Sequence, residues 1–278
     1  MLVGLLPPVE SRTRQSSGAV RFVAAVTLGA AIAFLPAGPG RCDAPATPSP
    51  DQTPSPAPLA PYFSAEEEVS PTYDATTGSS TQLNLRGQLP LAIDGGQYVL
   101  RIKLPLVTSS PANSVTGAGD LQLFGLAVRY AAGGRWLEGV TIRVPTGQDD
   151  SLGTGKYSLG PAVGYQTQSG PWTLGLFTQS FFSVAGPSWR TGVGQTKVDP
   201  NVTYGLVNGW SVGLSTMSFT YDWVRNQWIG VPVGFRIEKA LNGPRPFTAI
   251  FEYERNLVAA PDTPNLTLRL LGQWTFSR

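Results

Sequence analysis

Few residues of this chain have the types and spacing that enzymatic chemistry needs. Glu252 and Glu254 are two residues apart, and two carboxylates on one strand face could in principle hydrolyse a glycosidic bond. The chain contains no histidine, which removes imidazole acid–base catalysis, serine–histidine triads and histidine zinc sites. Its one cysteine, Cys42, can form neither an internal disulfide nor a thiolate metal cluster. We therefore expect no enzyme activity, and we interpret Glu252 and Glu254 as part of a salt-bridged wall.

One glycine-rich loop invites comparison with nucleotide-binding loops. A phosphate-binding loop over residues 147–156 would need Gly at position 150 and Ser or Thr after Lys156, but Asp150 and Tyr157 stand there. Asp149 and Asp150 supply two carboxylates, too few to hold calcium by themselves. The sequence therefore predicts an external loop, with no cofactor and no metal site.

The amino-terminal segment is typical of an exported protein. Arginines precede an apolar run at residues 22–35, and small residues follow it, so we predict a secretory signal peptide over residues 1–46. The run is too short for a membrane-spanning helix, which needs ~20 apolar residues. The Pro/Ser-rich stretch 47–61 is predicted to be an extended linker. Beyond residue 46 basic and acidic residues are equally many. The net positive charge that is typical of nucleic-acid-binding proteins is therefore lacking there.

The rest of the chain alternates apolar and polar residues with the period of β-strands. In the last such segment Leu266, Leu268 and Leu270 share one face, whereas Thr267 and Arg269 lie on the other. Most segments are longer than the strands of soluble sandwiches and suit a tilted crossing of a bilayer. The predicted strands are 79–91, 96–107, 119–131, 136–146, 156–168, 172–184, 197–207, 210–219, 227–238, 246–256 and 265–277.

The connections between these segments alternate in length. Short ones lie at 92–95, 132–135, 169–171 and 208–209, and long ones at 108–118, 147–155, 185–196, 220–226 and 257–264. The connection 239–245 is the exception, because it stands where the alternation calls for a short connection. Short periplasmic turns and longer external loops are typical of outer-membrane barrels, which need an even number of strands. We therefore predict an all-β, antiparallel up-and-down transmembrane barrel over residues 62–278. It has about twelve strands, the first within 60–70, where the acidic run 66–68 is expected to be solvated.

Prolines and aromatic residues fit this architecture at strand ends. Prolines inside the predicted strands should lie near ends or bulges, because each removes a donor from the ladder: Pro90, Pro105, Pro145 and Pro232. The aromatic residues near strand ends are typical of the girdles at the two membrane interfaces: Trp136, Trp172, Trp210, Trp228, Trp274, Tyr130, Tyr157 and Phe247.

Several short motifs resemble an outer-membrane family named for the meta pathway of phenol degradation. The most distinctive are LGTGK at 152–156 and VPVG at 231–234. The others are GAGDL at 117–121, VPTG at 144–147, LGPA at 159–162, GPW at 170–172, the stretch 182–186, Tyr204 with NGW at 208–210, and LRL at 268–270. The likeness covers about residues 82–278. It implies an outer-membrane, transporter-like barrel for small, often aromatic or hydrophobic compounds, although phenol itself is not to be inferred from the name.

With the polar face turned inward, charged side chains are expected to line the lumen. They are Arg101, Lys103, Arg129, Arg143, Lys156, Lys197, Asp199, Arg236, Glu238, Glu252, Glu254 and Arg269. The basic excess favours anionic or neutral solutes, because rings of charge govern which ions enter a pore. The main hypothesis is therefore a monomeric outer-membrane channel for passive uptake of small solutes, surrounded by lipid and lipopolysaccharide. Phe276, close to the end of the chain, is expected to be read by the barrel insertion machinery.

Three alternatives remain open at this point. The first is a structural or adhesive barrel whose lumen is plugged by ion pairs and which transports nothing. The second is a barrel-embedded lipid enzyme, which the lack of histidine disfavours. The third is a soluble lipocalin-like barrel, which would turn its apolar face inward.

Overall fold

The computed structural model describes most of the predicted barrel region. The described residues are 59–70, 80–109, 115–131, 133–243, 246–259 and 265–276. The predicted signal peptide 1–46 and residues 47–58 of the predicted linker lie outside them. No helix in the described part of the chain is long and apolar enough to cross a membrane.

The described chain is almost entirely β-structure. The strands are Tyr62–Ser70 (β1), Ser80–Ile93 (β2), Gly96–Ser109 (β3), Gly117–Ala118 (β4), Leu121–Ala131 (β5), Gly134–Val144 (β6), Tyr157–Ser169 (β7), Trp172–Ala185 (β8), Gly194–Gly205 (β9), Trp210–Leu214 (β10), Phe219–Asp222 (β11), Gln227–Leu241 (β12), Phe247–Ala259 (β13) and Leu266–Thr275 (β14). A single 3₁₀ turn, Val207–Gly209, precedes β10.

These strands form one closed antiparallel barrel of twelve crossings. Strand β4 is a short addition paired with β3, and β10 and β11 are two parts of one crossing between β9 and β12. The barrel closes where β1 pairs with β14, from Tyr62 opposite Thr275 to Val69 opposite Leu268. Closure leaves no open edge, which the hydrocarbon region of a membrane requires. The predicted up-and-down barrel and its first strand within 60–70 are confirmed.

The two ends of the barrel differ as predicted, with one correction. At the turn end, Asp94 and Gly95 adopt φ of 49° and 78°, the left-handed conformations of a two-residue hairpin turn. At the opposite, loop end, the predicted long connection 220–226 is wrong. Strand β11 continues to Asp222, whose Oδ1 accepts hydrogen bonds from the next backbone amides, leaving only the tight turn 223–226.

Pro232 illustrates how the sheet accommodates proline. It lies at the register shift of β12 against β13, between Val231 and Pro232. A bulge leaves a residue outside the ladder, so the missing amide hydrogen is tolerated there. Pro145 follows the last residue of β6. Both observations agree with the expected placement at bulges and strand ends.

The outer surface of the barrel is apolar. Leu270 is 60% exposed and Leu100 45%, whereas Arg269, next to Leu270, has an 11% exposed side chain. At the turn end, aromatic side chains pack in pairs on this surface: Trp136 with Tyr165, Trp172 with Tyr204, and Phe247 with Trp274. Tyr130 departs from this pattern, because it shares the face of Val128 on β5. An apolar band with aromatic rims is the exterior of a membrane barrel.

The interior is divided into a polar part and an apolar part. Toward the turn end an inner cluster, hereafter the apolar cluster, consists of Val99, Phe124, Leu126, Val128, Leu137 and Ala162, with Phe177 packed against it. Leu59 also packs against the apolar cluster, from the segment just before β1. Leu59 belongs to the described end of the predicted linker 47–61, and its apolar side chain is partly withdrawn from water there.

Candidate functional site

The candidate site is a cavity inside the barrel, next to the apolar cluster. Its volume is ≈ 490 Å³, and it is lined by residues of ten of the fourteen strands as well as by Thr216 and Ser218. Phe124 and Phe177 of the apolar cluster form part of its wall, and the remaining lining is largely polar and charged. The cavity is thus more polar than a usual ligand pocket, which is lined mainly by apolar side chains with a few polar groups.

Arg269 on β14 organises the acidic side of the lumen. Its Nη1 donates to Glu254 Oε2 at 2.9 Å and to Glu252 Oε2 at 3.4 Å, and its Nε lies 3.3 Å from Glu68 Oε2. Glu66 is fully buried and pairs with Arg86 Nη2 at 2.9 Å. Buried carboxylates are tolerated because each has a cationic or hydrogen-bonding partner. Glu252 and Glu254 therefore stand in an ion-pair network.

A break in the crossing formed by β10 and β11 brings the segment 215–218 into this network. Thr216 donates to Glu252 Oε1 from its backbone amide at 3.1 Å and from its hydroxyl at 2.6 Å. Ser215 Oγ donates to Glu254 Oε2 at 3.3 Å. Ser218 Oγ donates to Asp199. The segment thus narrows the lumen beside the cavity and is fixed there by carboxylates of the facing strands.

The cavity is also lined by basic side chains. Arg101 and Lys103 project from β3 and Lys197 from β9, and all three line the cavity. Arg101 donates to Gln88 Oε1 at 2.8 Å, and its guanidinium lies 5.8 Å from the centre of the Phe177 ring. Within the described residues, neither lysine has a hydrogen bond or a carboxylate at ion-pair distance. The two lysines therefore differ from the acids of the cavity, which have hydrogen bonds or ion pairs.

Most side chains predicted to line the lumen lie on the inner face, though not all of them at the cavity. Arg101, Lys103, Lys197, Asp199, Glu254 and Arg269 line the cavity, and Glu252 lies beside it in the network of Arg269. Arg143 packs over the Phe181 ring at 4.2 Å from its centre. Arg236 pairs with Glu238 at 2.7 Å, nearer the turn end.

Two of the predicted lumen residues are elsewhere, and both corrections have a physical reason. Arg129 has a 67% exposed side chain, alternates with buried Val128, and pairs with Glu138 on the outer face. The inner face of β5 is apolar, so the assumption that polar residues point inward fails for this strand. Lys156 precedes β7 and donates to the carbonyl of Pro187 in a neighbouring loop. Its position ahead of the strand places it at the loop end.

The carboxylates of β1 were missed by sequence reasoning. Glu66 and Glu68 were expected to be solvated, but Glu66 is fully buried and both carboxylates lie close to Arg269. The available signal was the alternation of Ser64, Glu66 and Glu68 on one face of a strand that pairs with the strand of Arg269. Three consecutive glutamates obscured that alternation.

The glycine-rich loop 147–156 is held by side chains outside the lumen. Asp120 Oδ2 accepts hydrogen bonds from the amide and the hydroxyl of Thr154, each at 2.7 Å, and Gly153 approaches so closely that an added Cβ would lie 2.3 Å from Asp120 Oδ1. Arg190 pairs with Asp150 at 3.1 Å. Hydrogen bonds from Ser151 lower the pKa of the exposed Asp149 carboxyl. These contacts order the loop, and they use the carboxylates that a cation would need.

Comparison with known proteins places the fold among membrane barrels. No model of a protein family matches the chain, and no curated protein matches it. The chain is similar to an outer membrane channel from Pseudomonas putida F1, with a TM-score of 0.57 and 15% identity, covering 83% of this chain and 100% of that one. It is also similar to the NanC porin, with a TM-score of 0.52 and 9% identity, covering 79% of this chain and 100% of that one. The chain thus has the fold of outer-membrane β-barrels.

Proposed function

We propose that this protein is an outer-membrane channel that lets small solutes cross passively. The observation that carries the proposal is the distribution of polarity in the barrel. The outer face is apolar, and it surrounds a polar, charged cavity. The similar Pseudomonas putida protein is itself described as an outer membrane channel. The motif resemblance to the meta-pathway phenol-degradation family supports aromatic or hydrophobic compounds as solutes. The turn end then faces the periplasm.

Conductance of the full chain in planar lipid bilayers tests this proposal. Discrete openings are expected after insertion, because a polar lumen supports ion passage. A silent barrel, shown to be inserted by its resistance to carbonate extraction, would contradict the channel. Release of the protein by carbonate without detergent would contradict the membrane barrel itself.

A second candidate function is a structural or adhesive barrel with a plugged lumen. It is favoured by the apolar cluster and by Leu59, which together occupy the interior toward the turn end. A barrel that is inserted in the bilayer but does not conduct would support this second function. Opening in the variant Leu59→Ser would instead show that the plug belongs to a channel.

Catalysis is not part of the proposed function. The paired carboxylates Glu252 and Glu254 are engaged by Arg269, Thr216 and Ser215. Assays of the purified protein for lipase and glycosidase activity are expected to show no turnover. Turnover that is lost in Glu254→Gln would contradict this part of the proposal.

A further inference from the structure

We propose that the cavity binds a small organic carboxylate. The carboxylate group of this ligand lies between Lys103 and Lys197, and the apolar part of the ligand lies against Phe124 and Phe177. The inference deepens the proposed channel function, on which it rests, by naming the chemical class of the solute. It depends on the cations, the shape and the apolar wall of one cavity.

In the described part of the chain, two lysines of the cavity lack a close polar partner. Lys103 and Lys197 line the cavity, and within the described residues neither ammonium group has a hydrogen bond or an ion pair. An ammonium group withdrawn from bulk water without a partner is costly, and an anion placed beside it offsets that cost. The site therefore has two cationic groups that an anionic ligand can satisfy.

The second step is that the acids of the cavity are already engaged. Glu68 and Glu254 are paired with Arg269 at 3.3 and 2.9 Å. Asp199, two residues from Lys197 on the same strand face, accepts hydrogen bonds from Gln179 Nε2 at 3.1 Å and from Ser218. The carboxylates of the cavity wall thus accept hydrogen bonds from other groups, and none of them lies at ion-pair distance from the ammonium group of either lysine.

The third step is the position of the lysines in the barrel. Lys103 belongs to β3 and Lys197 to β9, and β5, β6, β7 and β8 lie between them on the shorter path around the sheet. In a twelve-stranded barrel this places them on nearly opposite walls. Both nevertheless border the same cavity. A carboxylate between them could accept hydrogen bonds from both sides of the lumen, as charge-assisted recognition favours.

The fourth step distinguishes an organic anion from an inorganic one. Phe124 and Phe177 line the same cavity, with ring centres 6.4 Å apart, and they present apolar surface within the lumen. An inorganic anion would leave this surface unused, whereas a ligand with an apolar part would cover it. The cavity volume of ≈ 490 Å³ falls within the range of about 300–1,000 Å³ that is common for small-molecule sites.

Calorimetric titration of the full chain in detergent micelles tests the inference with three probes. They are sodium hexanoate, its neutral analogue hexanamide, and sodium phosphate. Hexanoate is expected to bind about tenfold or more tightly than hexanamide, because hydrogen bonds to charged groups are the stronger ones. Lys103→Met and Lys197→Met should each weaken hexanoate binding by a similar factor, and Lys103→Arg should preserve it. Lys239→Met is the matched control, because Lys239 lies over Trp210 on the outer face.

Other results of the titration would overturn the inference or part of it. Equal binding of hexanoate and hexanamide, or unchanged hexanoate binding in both methionine variants, would overturn the inference. Phosphate binding as tight as that of hexanoate would overturn the assignment to an organic anion. The titration does not depend on conductance. Hexanoate binding by a barrel that never conducts would therefore refute the channel and keep the site, whereas conductance without binding would refute the site alone.

Discussion

Arg269 Nε and Glu68 Oε2 lie 3.3 Å apart across the seam where the last strand pairs with the first. The two residues are 201 positions apart in the chain. The same guanidinium reaches Glu254 on the other neighbouring strand. One side chain therefore links three consecutive strands from inside the barrel, at the place where closure must occur.

Arg269→Met is expected to destabilise the barrel strongly. Removing one partner from a buried ion pair costs about 3–5 kcal/mol, because the remaining charges are left uncompensated. Here Glu252 and Glu254 would lose their cation. Urea unfolding in lipid vesicles, followed by tryptophan fluorescence, measures the change. Arg129→Met is the control with little expected effect, because Arg129 is exposed on the outer face. Equal unfolding midpoints for the two variants would show that the network contributes nothing to closure.

Lys197→Glu is expected to change the ion selectivity of the channel. Lys197 lines the cavity, so replacing it by an acid should shift the preference of the channel from anions toward cations. The measurement is the reversal potential in a salt gradient across a planar bilayer, which should change sign. Lys239→Glu makes the same change of charge outside the lumen and should leave the reversal potential unchanged. The same shift in both variants would point to surface charge and not to the lumen.

Leu59→Ser is expected to raise the conductance. Leu59 is half-buried and packs against the apolar cluster at the turn end, so a smaller polar side chain should loosen that closure. The stability loss should be about 1 kcal/mol, because complete burial of a leucine contributes only about 1.5–3 kcal/mol. Single-channel recording provides the test. Leu257→Ser, at a 68% exposed leucine near the loop end, is the control. Unchanged conductance in Leu59→Ser would place the closure elsewhere.

Asp120→Asn is expected to loosen the loop 147–156 while the barrel stays intact. Asp120 accepts three hydrogen bonds from the loop, two from Thr154 and one from the amide of Gly147. Replacing a buried charged acceptor costs about 1–3 kcal/mol, here confined to the loop. Limited trypsin digestion should then cut after Lys156 at an increased rate. Asp149→Asn weakens only the local hydrogen bonds from Ser151, and trypsin should cut this variant at close to the original rate. Equal protection in both variants would contradict the role of Asp120.

The sequence by itself determined the architecture. The alternation of Leu266, Leu268 and Leu270 with Thr267 and Arg269 defined two unlike faces, and β14 shows them pointing outward and inward as expected. Strand length and the spacing of turns then located eleven crossings, and the even strand number of outer-membrane barrels implied a twelfth. This information is local, because the two-residue period and the turn residues act within a few positions of the chain.

Only the tertiary structure decided which polar groups meet inside. Glu66 is buried because β1 returns beside β14, and Arg129 lies outside because the inner face of β5 is filled by apolar side chains. The entry of Leu59 into the barrel and the inward segment 215–218 likewise depend on strands distant in sequence. Alternation assigns each residue to one of two faces. It carries no information on partners across the lumen, because those are set by closure of the sheet.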